Sequence, residues 1–196
     1  GSSAILITLY SLLEMGRLKN KKIVIPSLSW LTDVSSAMQI GLEPILCDCN
    51  TQDLSVDLDE LERLFIDHEP SALLLVSVLG LVPDMNRLIN MCEKYDVLLI
   101  EDVAESMGSS YYGKNLGTFG VASIFSTYFG HHISTIEGGF VSTDDYELSQ
   151  VLLSMRNHGW DRDMDEDTAK KMRDKWDIDD FQRLYTFYYP GFNLRS

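Results

Sequence analysis

The spacing of apolar residues switches repeatedly between two periods along the chain. Residues 3–18 carry Leu6, Leu9 and Leu13 at helical spacing and stop at Gly16, which predicts a helix. KIVIP (22–26) predicts a short buried strand. A second helix is predicted over about 30–40, ending at Gly41, and PILCDC (44–49) reads as the next strand. From Asp57 to Asp67, Leu58, Leu61, Leu64 and Phe65 fall on one helix face. ALLLVSVL (72–79) is a continuous apolar strand, 85–95 a helix, and VLLIED (97–102) a strand ending in carboxylates. Strands that are apolar throughout, alternating with helices, predict an α/β fold whose parallel sheet is covered on both faces.

Beyond residue 120 the pattern changes. VASIFSTYF (121–129) and GGFVSTD (138–144) read as strands around an irregular polar segment, GHHISTIE (130–137). Residues 145–157 are helical, and 161–180 are so charged that a solvated helix or surface excursion is expected. No internal repeat or low-complexity linker divides the chain. Both ends read as cut, since the chain opens directly into a helix and stops at PGFNLRS.

Composition narrows the function classes. Hydrophobic residues at 45% and charged residues at 23% suit a packed globular domain. Sixteen Lys+Arg against thirty Asp+Glu give a formal charge of −14, which repels nucleic acid. A small phosphorylated ligand is still compatible, because helix N-termini and backbone amides hold anions locally. No apolar run reaches the roughly 18–20 residues of a membrane span, and no signal peptide is evident. Cys47, Cys49 and Cys92 do not form a disulfide framework and read as reduced cytoplasmic thiols. Cys47-Asp48-Cys49 has no partner pair at metal-ligand spacing, so no metal is expected.

Ligands of open α/β sheets bind at the carboxyl ends of strands. The polar residues there are Ser29 and Trp30 after KIVIP, Asp102 and Glu105 after VLLIE, and the stretch from Ser126 to Glu137. Gly1-Ser2-Ser3 before a helix makes either a small anion cradle or a plain N-cap. Trp30 is a core aromatic or a stacking platform for a flat ligand. Asp102 is a helix cap, or the partner of a protonated ring nitrogen or of a metal, although no metal-ligand spacing surrounds it. His131-His132 is the most unusual feature. Adjacent residues on an extended segment point to opposite sides, so at most one of the pair faces a ligand. His158 follows a helix in RNHGWDRD. Histidine suits proton transfer near neutral pH.

Taken together, GSSAILITLYSLL, PSLSWLTDVSSAMQIGLEPILCDCN, LLIEDVAESMGSSYYGKNLGTFG, FSTYFGHHISTIEGGFVSTDD and RNHGWDRD occur in an informative order. Across all 196 residues the chain resembles the DegT/DnrJ/EryC1/StrS family of pyridoxal-phosphate-dependent nucleotide-sugar enzymes. That resemblance implies the aspartate aminotransferase fold (fold type I). Residues 1–196 would be its cofactor-binding large domain, an α/β/α sandwich with a mostly parallel sheet, without the small C-terminal domain. It implies that Gly1, Ser2, Ser3 and Ser126 cradle the cofactor phosphate, that Trp30 stacks on the pyridine ring, and that Asp102 binds its nitrogen. Glu105 sits where many relatives carry Gln or another polar residue.

One departure is informative. Family aminotransferases place a lysine six residues before the Glu of EGG, to hold the cofactor covalently. Here that position is His131, and no lysine occurs between Lys114 and Lys170. HHIxxxEGG with Glu105 is similar to the sugar 3-dehydratase branch, in which His158 matches a second histidine. The resemblance therefore implies a lyase that uses pyridoxal or pyridoxamine 5′-phosphate on a nucleotide-linked 4-keto-6-deoxyhexose. The product would be a 3,6-dideoxy sugar of the kind used in lipopolysaccharide O-antigen. His131, His158 and Glu105 would be its catalytic residues. L-glutamate as amine donor, an iron–sulfur reductase and a homodimeric assembly are the expected partners, with GDP and CDP sugars both open. The alternatives are a nucleotide-sugar aminotransferase and an inactive sugar-nucleotide-binding or regulatory homologue.

Overall fold

The strands β1 (Lys22–Pro26), β2 (Glu43–Cys47), β3 (Ala72–Val76) and β4 (Leu98–Asp102) are followed by a small hairpin, β5 (Ser110–Tyr111) and β6 (Lys114–Asn115). Then come β7 (Ala122–Ser126) and β8 (Gly139–Ser142). In this computed structural model, which describes residues 1–194, six of them form one sheet in the order β2-β1-β3-β4-β7-β8. The first five run parallel, and β8 pairs antiparallel with β7 at one edge, Ser126 opposite Gly139. Residues 195–196 of the NLRS segment lie outside the described residues.

Both faces of the sheet are covered. Helices α1 (Ser2–Glu14), α2 (Leu31–Gln39) and α5 (Tyr146–Arg156) contribute to a core with Ile23, Ile25, Ala72, Leu74, Ile100 and Ile124. Helices α3 (Leu58–His68) and α4 (Met85–Tyr95) pack against Val24, Leu73, Leu75 and Leu99 on the other face. β3 shows why its sequence is apolar throughout: successive side chains enter different cores, so neither face can be polar. Asp57 and Asp84 start α3 and α4 by accepting two backbone N–H groups each.

The charged region beyond 160 contains helix α6 (Glu166–Lys175). It is pinned to the body by Arg173, whose guanidinium meets the buried Asp161 carboxylate at 2.8 Å. Strand ends depart from the sequence expectation. The strand predicted over 72–79 ends at Val76, because the chain turns through Leu79 and Gly80, both at positive φ. The strand predicted over 121–129 ends at Ser126. β8 is antiparallel because a local loop, not a crossover helix, joins it to β7. The β5–β6 hairpin has no counterpart in the sequence expectation. Its two-residue strands are too short for a period, and Tyr112-Gly113 supplies its positive-φ turn.

Candidate active site

A cavity of about 1340 Å³ opens at the carboxyl ends of β1, β3, β4 and β7. Each element delivers its residues for a local reason. The start of α1 brings Gly1, Ser2 and Ser3 to the wall. No side chain caps this helix, so its first N–H groups are available to an anion. The Ser2 hydroxyl donates to Thr32 Oγ1 at 2.9 Å, tying α1 to α2. A Cβ on Gly1 would lie 3.2 Å from the Cβ of Ser126, and Ser126 Oγ accepts the Tyr128 N–H at 3.3 Å. A Cβ on Gly139 would lie 2.6 Å from the Gly1 nitrogen, so only glycine lets β8 approach the start of α1 this closely.

Trp30 precedes α2 and is 74% exposed while lining the cavity. The core alternative for this residue is overturned, because its position just past β1 carries the indole out of the sheet and into the cleft. Asp102, at the end of β4, is only 6% exposed and accepts the Ala104 N–H at 2.9 Å. Burial pushes its carboxyl up; the Ala104 N–H and the neighbouring Asp33 oppose that shift. Glu105 lies on the following loop, where Oε2 accepts the Leu79 N–H at 3.2 Å.

His131 also lines this cavity; His132 is exposed and does not. Residues 127–138 form a braced loop between β7 and β8. Thr127 N–H donates to Gly138 O at 3.0 Å, Thr135 N–H to Thr127 O at 2.9 Å, and the two threonine hydroxyls meet at 2.7 Å. His131 N–H donates to Tyr128 O, and the two rings meet edge to face at 5.9 Å. Two buried polar atoms on the cavity wall lack a hydrogen-bond partner among the described residues: Ser77 Oγ and His131 Nδ1. Such atoms are costly unless something pairs with them.

The family model for the DegT/DnrJ/EryC1/StrS aminotransferase family matches residues 1–195. The chain belongs to this family. Within it, the chain is 36% identical over 198 aligned positions to a GDP-4-keto-6-deoxy-D-mannose 3-dehydratase of Yersinia pseudotuberculosis, covering all of this chain and 50% of that one. It is also similar to an E. coli GDP-4-keto-6-deoxy-D-mannose-3-dehydratase structure with bound hydrated PLP. That match has a TM-score of 0.85 and 32% identity, covering 99% of this chain and 50% of that one. A third match is a GDP-4-keto-6-deoxymannose-3-dehydratase structure with a trapped PLP-glutamate geminal diamine, with a TM-score of 0.84 and 31% identity over 99% of this chain and 50% of that one. The chain thus spans about half the length of these DegT/DnrJ/EryC1/StrS relatives.

His158 is the site residue that the structure does not bring to the cavity. The family resemblance implies a position near the site. Instead it follows the end of α5 at positive φ, its N–H donating to Phe192 O at 2.7 Å and its ring packing edge-on against Trp160 at 5.0 Å. The 188–192 segment crosses there and takes up its backbone. Two acids escape the sequence reading. Asp33 is fully buried in α2, and its Oδ2 accepts the Trp30 N–H at 3.0 Å. The legible signal was an acid three residues after a helix start, half of a capping box. Glu101 is fully buried too, accepting N–H groups from Gly117, Phe119 and Gly120 at 2.7–2.8 Å. It holds the loop that enters β7.

Proposed function

We propose that this chain is the cofactor-binding large domain of a nucleotide-sugar 3-dehydratase, acting on a 4-keto-6-deoxyhexose to yield a 3,6-dideoxy sugar. The observation that carries this reading is His131: a histidine on the cavity wall at the position where family aminotransferases have their lysine. The 3-dehydratase names of the similar proteins support it.

The residues present fit pyridoxal or pyridoxamine phosphate. The cavity is large enough for a cofactor with a sugar beside it, and its wall carries unpaired buried polar atoms. Gly1, Ser2, Ser3 and Ser126 would hold the phosphate, Trp30 would cover the ring face, and Asp102 would pair with the ring nitrogen. When bound, the amine form supplies an amine and an electron-accepting ring.

His131 does the proton work. Its imidazole takes up a proton beside the ring and, as imidazolium, delivers one to the departing C3 hydroxyl, which is a poor leaving group at neutral pH. A histidine cannot hold the cofactor covalently as a lysine does, which favours dehydration over transfer of an amine to the sugar. Glu105 borders the same space. His158, outside the cavity wall, is not assigned a contact with the reacting atoms.

The PLP-glutamate adduct of a similar structure favours L-glutamate as amine donor over an iron–sulfur reductase. A homodimer and a cytoplasmic setting complete the reading. The latter is supported by three free cysteines.

The test uses the protein at the full length of its relatives, loaded with PLP and given L-glutamate, then GDP- and CDP-linked 4-keto-6-deoxyhexoses separately. Loss of the C3 oxygen with release of ammonia is the expected result. An amino sugar as product would restore the aminotransferase reading, and turnover only with an added reductase would replace glutamate.

A further inference from the structure

Two buried carboxyls stand together at the floor of the cavity, and the cofactor assignment uses only one of them. Asp102 closes β4; Asp33 sits one turn into α2 with no exposed surface. Both line the same cavity; Asp33 Oδ2 accepts the Trp30 N–H at 3.0 Å, and the Asp33 carboxyl lies within hydrogen-bond reach of that of Asp102. We propose that Asp33 is a positioning residue for the cofactor ring, holding Asp102 as the charged partner of the ring nitrogen and holding the Trp30 backbone beside the same ring. This rests on the cofactor assignment above.

The physics follows from the placement. Two adjacent buried carboxyls cannot both carry charge cheaply, so the pair keeps a proton. Burial first, and the Asp102 charge second, push the Asp33 carboxyl up to about 8; the Trp30 N–H only partly opposes them. Asp33 therefore keeps the proton near neutral pH and presents a donor to Asp102. Asp102 is left as the single carboxylate, the state that pairs with a protonated ring nitrogen. The other groups facing this floor are Glu105 and the Ala104 N–H after β4, the Gly1 nitrogen at α1, and His131 and Glu137 on the 127–138 loop. None of them bonds to Asp33. The same side chain also fixes the start of α2. One residue thereby couples the edge contact of the ring to its face contact.

The test is a PLP titration of the protein at the full length of its relatives, following the absorbance and circular dichroism of the bound ring from pH 5 to 10, in wild type, D33N and D33L. The D33N amide keeps an acceptor for the Trp30 N–H and a donor for Asp102 but cannot ionise. D33N should bind PLP within about threefold of wild type at pH 7 and lack one spectral step that wild type shows on raising the pH. D33L should weaken PLP binding at least tenfold and diminish the induced circular dichroism of the ring. A D33N pH profile superimposable on wild type overturns the proposal, whether or not D33L folds. So does a folded D33L with wild-type affinity and dichroism, since a purely structural cap would behave that way. Wild-type protein at full length that binds no PLP overturns the cofactor assignment itself, a result distinct from either failure in the variants.

Discussion

Glu105 Oε2 accepts the N–H of Leu79 at 3.2 Å, joining the loop after β4 to the turn after β3. Leu79 lies at φ 53° and Gly80 at φ 78°, so the turn holds a non-glycine residue in the left-handed region. A carboxylate from a different strand end steadies that conformation. Glu105 is therefore part of the cavity rim and a brace for its neighbour.

Replacing Glu105 by alanine should release this turn. The expected loss of stability is modest, about 0.5–1 kcal/mol, because the bond is exposed. Hydrogen exchange at the Leu79 amide should accelerate in E105A and stay near wild type in E105Q, which retains an acceptor. Equal protection in wild type and E105A would show that the turn holds itself.

His131→Asn should separate binding from chemistry. The ring of His131 borders the cavity without carrying the phosphate cradle or the acid at the floor. H131N should keep PLP affinity within a few-fold and lower the dehydration rate by about 10²–10⁴. Product mass and single-turnover kinetics at full length check this. Comparable losses in affinity and rate would reassign the residue to cofactor binding.

Asp33 gives a stability profile with a defined sign. Its folded-state value of about 8 stands above its ordinary 3.8. The folded chain therefore binds the proton more tightly than the unfolded chain. This contribution to stability is complete below about pH 4 and is lost as the pH rises toward 8. D33N has no such titration. Its Tm relative to wild type should increase from pH 5 to pH 9 by at least about 2–4 °C, the equivalent of ~1 kcal/mol in a chain this size. A difference that does not vary with pH would contradict the raised value.

Glu101→Ala should be the most damaging of these changes. It strands three N–H donors, those of Gly117, Phe119 and Gly120, around a fully buried site. A loss of about 3 kcal/mol or more is expected in urea denaturation. A loss below about 1 kcal/mol would mean that water reaches the donors.

The sheet was legible in the sequence because its strands are buried on both sides. ALLLV can serve two cores only if every position is apolar, so its composition announces its place. The strand ends were less legible, since apolar runs continued past Val76 and Ser126 into turns that depend on Leu79, Gly80 and the Thr127–Thr135 pair. His131 and Asp102 stood out as polar residues at strand ends. Asp33 did not, because an acid in the first turn of a helix is ordinary until its burial is known. The surroundings of His158 were not legible for the opposite reason: a motif-like neighbourhood says nothing about the 188–192 segment that crosses it.

The loop that carries His131 has wider meaning. Its legs belong to β7 and β8, its own threonines brace it, and its tip holds exposed Ile133 and Ile136. The acids of the floor belong to β4 and α2 instead. On the proposed function, the residue assigned the proton transfer is thus mounted on a different module from those that would grip the ring. On that reading, the loop could differ between relatives while the acids of the floor stay in place.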